Sequence, residues 1–149
     1  MSNPQIVSNI LLTMFSWGVR CDSRAELEDM LPALRVLHPH GPTGDICEAR
    51  IEIGSSNWLG ASQVLRQIDE RGDGGPISWA LQSWCLYMLG DIEWQRCARA
   101  VLANGHPTAI AIVDRFLAAA SDDQPAGYRS TDASARVMEA LSSNRVQAA

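Results

Sequence analysis

Apolar residues recur along this chain at intervals of three and four, the spacing that gathers them on one face of an α-helix. A first helix carries Ile6, Ile10, Leu11 and Met14, with Phe15 and Trp17 beside them; Ser2 or Asn3 caps it and Pro4 sits in its opening turn. Asp22 and Ser23 cap a second helix with Leu27, Met30, Leu31, Leu34 and Leu37, and Pro32 inside it is expected to bend it. The breakers of His38-Pro-His-Gly-Pro-Thr-Gly44 predict a loop. Asp45 caps a third helix, with Ile46, Ala49 and Ile53 inward, that stops at Gly54. Asn57 caps a fourth, with Trp58, Ala61, Leu65 and Ile68 in register, that ends at Gly72. After Gly74-Gly-Pro76 the fifth and sixth helices, about residues 77–89 and 91–103, form a hairpin around Gly90 and Asp91. Asn104-Gly105 closes the sixth. Pro107 opens a seventh, whose buried face is Ile110, Val113, Phe116 and Leu117. Residues 121–130 read as a linker, and a last helix at about 132–145 carries Val137, Met138 and Leu141. No strand pattern occurs, so the expected class is all-α.

The fifth and sixth helices have the shape of a tetratricopeptide (TPR) unit, a protein-binding building block of about 34 residues. With Ile77 as position 2, Trp79 falls at position 4 and Pro107 at position 32, where the repeat pattern places Trp and Pro. Gln95, Arg99 and Leu102 depart from the pattern. The preceding pair follows the same logic, because Gly54 and Gly90 lie 36 apart, as do Trp58 and Trp94. The expected fold is therefore a right-handed stack of antiparallel helix pairs, TPR-like, with two degenerate repeats between capping helices. A single helix pair cannot bury its apolar face alone, and stacking buries it. The expected organisation is a TPR-like domain at 1–120, a linker at 121–130, and a weak C-terminal helix and tail at 131–149. The alternative is an irregular bundle with Gly-capped helices.

In such a stack the first helix of each pair lines a concave surface. The inner positions are Ile46, Arg50 and Ile53 on the third helix, and Ile77, Ala80, Trp84, Tyr87 and Met88 on the fifth. Aromatics and Met on one face suit an amphipathic partner helix, so these eight are the candidate protein-binding residues. The competing reading makes the same stripe a core covered by the flanking helices. An exposed stripe on the first helix would serve a homodimer or cap the stack.

Composition narrows the partners. The formal net charge is −5, the pI is about 5.1, and all 12 basic residues are Arg. No basic cluster interleaves with aromatics, which argues against nucleic acid. Cys21, Cys47, Cys85 and Cys97 include no Cys-x-x-Cys pair and read as free thiols, three of them at helical packing positions, rather than as disulfides or metal ligands. Asp45, Glu48 and Glu52, and Asp69 and Glu70, read as solvated faces or as ion pairs with Arg50 and Arg66. His38 and His40 lack a third ligand at a recognisable spacing. No nucleotide-binding, hydrolase or zinc-protease motif occurs, so neither enzyme activity nor a cofactor or metal is expected. The apolar segment from Ile6 to Trp17 lacks a basic leading region and a cleavage site and is too short to span a bilayer. The default location is the bacterial cytoplasm, unless a dedicated machine exports the chain.

Several phrases point further. They are Leu31-Pro-Ala-Leu-Arg-Val-Leu-His-Pro39, Glu48-Ala-Arg-Ile51, Leu65-Arg-Gln-Ile-Asp-Glu-Arg-Gly72, Trp79-Ala-Leu-Gln-Ser-Trp-Cys-Leu-Tyr87 and Gly90-Asp-Ile-Glu-Trp-Gln-Arg-Cys97. Over about residues 5–118 the chain resembles the Hrp-type (HrpB/HrpK-type) type III secretion protein family of plant-pathogenic bacteria. The resemblance implies an accessory component of the secretion apparatus, without catalytic residues, similar in architecture to TPR-like chaperones of needle subunits. Its implied partner is a small amphipathic needle, pilus or inner-rod subunit. Some members of that family are associated with the periplasm, and the alternative function is a peptidoglycan-associated apparatus component there.

Overall fold

The structure is a computed structural model that describes residues 4–21, 23–120 and 132–147. The described residues form helices and no strand: α1 (Pro4–Arg20), α2 (Arg24–Leu37), α3 (Thr43–Gly54), α4 (Trp58–Glu70), α5 (Pro76–Met88), α6 (Trp94–Asn104), α7 (Pro107–Ala120) and α8 (Ala133–Gln147). The protein is all-α, with a helical, repeat-like order of elements. The caps assigned to Ser2, Asn3 and Asp22 and the linker at 121–130 lie outside the described residues. Contacts group the helices into two compact units, Met1–Gly74 and Gly75–Ala149.

In the first unit α1 and α2 form one hairpin and α3 and α4 a second, with α3 against both α1 and α2. Phe15 is fully buried among Leu27 and Leu34 of α2 and Cys47 and Ile51 of α3, with Leu11 and Leu12 alongside. This rotates the buried face of α1 away from the expected stripe, since Ile6, Ile10 and Met14 are more than half exposed. The ring at position 15 takes the wedge between α2 and α3, and neighbouring positions on a helix differ by about 100°, so Met14 is turned outward. At Gly18 the helices approach closely: a Cβ there would stand 2.6 Å from Leu27 Cδ2. α2 continues through Pro32 to Leu37. α3 starts at Thr43, behind Pro42, two residues before the expected cap. Asp45 instead lies in the first turn, where the helix dipole favours a carboxylate. Asn57 caps α4 as expected, its Oδ1 accepting the Gly60 N–H at 3.1 Å. Ala61, Leu65 and Ile68 are buried as the spacing requires.

The ends of α3 and α5 are built alike. At α3 the Asn57 N–H donates to the Glu52 carbonyl (2.9 Å) and the Ser56 N–H to the Ile53 carbonyl (2.9 Å), with Ser56 in the left-handed region at φ +59°. The same bonds recur 34 residues later, from Asp91 to Leu86 (2.9 Å) and from Gly90 to Tyr87 (3.1 Å), with Gly90 at φ +74°. This pair of bonds satisfies the last carbonyls of a helix and reverses the chain, and it also ends α4, from Gly72 to Asp69 (3.0 Å) and from Asp73 to Ile68 (3.1 Å). The counterpart of Gly90 is thus Ser56 rather than Gly54. The 36-residue spacing of Trp58 and Trp94 contains an insertion. Asp91, Ile92 and Glu93 form a tight turn of i→i−3 bonds before α6, which begins three residues later than expected.

In the second unit α5 and α6 form a hairpin, α7 packs on α5 and touches α6, and α8 packs on α7. The C-terminal flank is therefore itself a hairpin. Leu86, Trp94, Val101, Ile110, Val113 and Phe116 dominate the core, which Val137 and Leu141 of α8 complete. Met138, expected inward, is exposed, because Val137 and Leu141 already supply the i, i+4 contact. Arg136 clamps α8 to α7 with two parallel bonds to Asp114, Nε to Oδ1 and Nη2 to Oδ2, each 2.8 Å. The fully buried Ser83 hydroxyl donates to the Trp94 carbonyl at 2.9 Å, tying α5 to the start of α6. Ser83→Ala leaves that link unmade and is expected to destabilise the protein by about 1–2 kcal/mol. A thermal melt followed by circular dichroism checks this, and an unchanged Tm would show that the bond does not hold the hairpin.

Candidate functional site

Gly75 and Ser78 set the start of α5. The Ser78 hydroxyl accepts the Gly75 N–H at 2.8 Å and donates to the Gly75 carbonyl at 2.9 Å. From that start the helix presents the expected residues at different depths. Ala80 is fully buried, Ile77, Trp84 and Tyr87 are half-buried against the core of their unit, and Met88 is exposed. Trp84 stacks parallel to Phe116, with centroids 6.3 Å apart and ring planes 5° apart. Tyr87 meets Trp94 edge-on at 5.2 Å and Phe116 at 5.3 Å. Offset-stacked and edge-to-face pairs are the preferred aromatic geometries, so these rings hold one another in place.

An apolar strip continues outward from the rings. Met88 is 49% exposed, Leu89 44% and Ile92 60%. Asp91 and Glu93 flank it. The Asp91 Oδ1 accepts the Glu93 N–H at 3.0 Å, and Glu93 pairs with Arg96 at 2.8 Å. Leu89 and Ile92 are outside the residues picked from the sequence. Their signal was three large apolar side chains around a Gly-Asp turn, where small and polar residues are the rule.

The α3 residues belong to the first unit. Ile53 is buried, while Ile46 and Arg50 are half-buried. The Arg50 guanidinium carbon lies 5.5 Å from the centre of the Phe15 ring, and Nη1 donates to Ser16 Oγ at 3.4 Å. Burial, with some help from nearby Arg20, pulls this guanidinium down from its ordinary value. The ion pairs differ from those expected. Asp45 pairs with Arg35 at 3.2 Å and with Arg71, Glu48 pairs with Arg35 at 2.6 Å, and Glu52 pairs with Arg24 at 3.2 Å. Among the described residues neither Arg50 nor Arg66 takes part in an ion pair. Arg50 points toward α1, on the opposite side of α3 from those carboxylates. Asp45 borders an open polar cavity of about 390 Å³, also lined by Arg35, His38, His40, Arg71 and Asp73. Among the described residues no three His, Cys, Asp or Glu side chains are grouped to hold a metal ion, and no helix is long and apolar enough to cross a membrane.

A family model described as bacterial type III secretion protein (HrpB1_HrpK) matches residues 1–122. No curated protein and no solved structure matches the chain.

Two outcomes follow from titratable groups drawn partly or wholly out of water. Burial raises the Asp45 carboxyl, but the hydrogen bonds from Arg71 and Arg35 outweigh it and hold the group below its usual range. A lowered native value contributes stability that is present above the unfolded value of about 3.9 and is lost as pH falls through the native one. Asp45→Asn is expected to lower the Tm at pH 7 and to flatten its decline below about pH 4; parallel pH profiles would refute the link. Burial pushes the Cys85 thiol up to about 12 and raises Cys47 as well, whereas Cys21 is exposed. Thiolate is the reactive form. Iodoacetamide at pH 8 should therefore label Cys21 first and reach Cys47 and Cys85 only on unfolding, as peptide mass mapping would read.

Proposed function

The chain belongs to the bacterial type III secretion protein family (HrpB1_HrpK), and on that premise we propose that it is a non-enzymatic binding factor of the secretion apparatus. In this reading it acts as a TPR-like chaperone or assembly factor for a small amphipathic subunit of the needle, pilus or inner rod. The observation that carries the reading is the exposed strip of Met88, Leu89 and Ile92 beside the half-buried Trp84 and Tyr87. A subunit helix that later assembles with its own kind must hide an apolar face beforehand, and an apolar strip on a helical scaffold takes such a face. Met is unbranched and polarisable, so Met88 adapts to irregular partner surfaces. The ring cluster behind the strip fixes its backbone, which limits the ordering cost of binding.

The test uses variants that spare the core. Trp84 is unsuitable, because its ring stacks on Phe116. Met88→Asp with Ile92→Asp places charge in the strip at exposed positions. Co-purification with the needle, pilus and inner-rod subunits of the same system is expected to fall at least tenfold, with circular dichroism and Tm unchanged. Binding at wild-type strength by the folded double variant would remove the strip from the proposal.

A further inference from the structure

Arg50 is a half-buried cation without a carboxylate among the described residues. Scarcity of acids does not explain this. Carboxylates outnumber arginines in residues 1–74, and the three carboxylates of α3 itself are each engaged by other arginines: Asp45 by Arg35 and Arg71, Glu48 by Arg35, and Glu52 by Arg24. Arg20, in the last turn of α1, is exposed, has no ion pair among the described residues, and adds its like charge to the surroundings of Arg50. Below the guanidinium lies the fully buried ring of Phe15, which attracts a cation through its face but supplies no hydrogen-bond acceptor. Its hydrogen-bond partner is the Ser16 hydroxyl, at 3.4 Å. A cation withdrawn from water and left without a counter-ion is destabilising, and natural chains keep such groups where they act.

We propose that Arg50, assisted by Arg20, is the docking point for a carboxylate side chain of the protein partner. The inference rests on the protein-binding reading above and adds an electrostatic requirement to it: the partner presents an acidic residue to α1 and α3. A guanidinium edge matches the two oxygens of a planar carboxylate, so one side chain satisfies the donors that Ser16 leaves over. The choice of a carboxylate over phosphate follows from charge. The first unit carries a net negative charge, which repels a dianion more than a monoanion.

The experiment titrates the protein, labelled on arginine, with an N-acetylated, C-amidated Ala-Glu-Ala peptide, which carries a single negative charge, and separately with inorganic phosphate at matched ionic strength. The Arg50 Nε–H signal is assigned by its loss in Arg50→Met. With the peptide this signal should shift and saturate, and the affinity read by isothermal titration calorimetry, which does not need the Arg50 signal, should fall at least tenfold in Arg50→Met and by a smaller factor in Arg20→Gln. Arg66→Met, which removes an exposed cation elsewhere, should leave it unchanged. Arg50→Met keeps an apolar stem and removes a half-buried charge that has no ion pair among the described residues, so its Tm should not fall below that of the wild type. If it fails to fold, Arg50→Lys serves in its place, retaining the charge and losing the two-pronged geometry, with weaker peptide binding expected. No saturable shift, calorimetric peptide affinity undiminished in Arg50→Met, or phosphate binding as strong as peptide binding would each overturn the proposal. Failure here is distinct from failure of the strip. Undiminished subunit binding by Arg50→Met removes Arg50 alone, whereas loss of subunit binding in the Met88→Asp, Ile92→Asp variant reports on the strip alone.

Discussion

None of these helices can stand alone. They run from 11 residues in α6 to 17 in α1, and isolated helices of that length are marginal in water. Each must bury a stripe against a neighbour, and a hairpin of two still leaves apolar surface uncovered. Both units solve this in the same way, by laying the first helix of a second hairpin against the first hairpin. α3 lies against α1 and α2, and α7 lies against α5 and α6. The chain reversals at the ends of α3 and α5 make this possible, since each satisfies the last carbonyls of a helix while turning the chain through the same pair of bonds.

That solution governs what is left for recognition. On α5 the stripe that would meet a partner is the one that meets α7. Trp84 and Tyr87 therefore divide their surface between Phe116 and solvent, and the residues beyond the helix end carry the free apolar area. Ala80 and Ile53 show the other extreme. Ala80 has a compact side chain that lets helices approach closely and is fully buried, and Ile53, a large apolar side chain, is 8% exposed. Tyr87 directly precedes Met88 and Leu89 in the chain, so a disturbance of its packing reaches the strip through the backbone.

The helical order was legible because period and punctuation agreed. Asn57, Pro76, Gly105 and Pro107 stand at the expected boundaries, and α4 buries the stripe its spacing predicts. What escaped had local causes. α1 is apolar on more than one side, and only the wedge occupied by Phe15 decides which side turns inward. Ser56 adopts a backbone conformation usually reserved for glycine, so no glycine marks the position after α3 that corresponds to Gly90 after α5. The ion pairs were misassigned because carboxylates close to Arg50 in sequence need not share its face. Asp45, Glu48 and Glu52 turn toward Arg35, Arg71 and Arg24, while Arg50 turns toward Phe15. Of the apolar strip, Met88 was visible from repeat positions, but Leu89 and Ile92 fall outside any inner-face register.

The outward-facing Ile6, Ile10 and Met14 of α1 have a colloidal consequence. The helix bears no charged side chain before Arg20, so nothing on that stripe repels a like surface. Dispersal of the molecules in solution then depends on the overall charge of −5 carried elsewhere. That protection vanishes near pH 5.1, where the charge is neutralised. In mildly acidic surroundings the oily flank of this helix, rather than electrostatic repulsion, would govern how the protein behaves at high concentration.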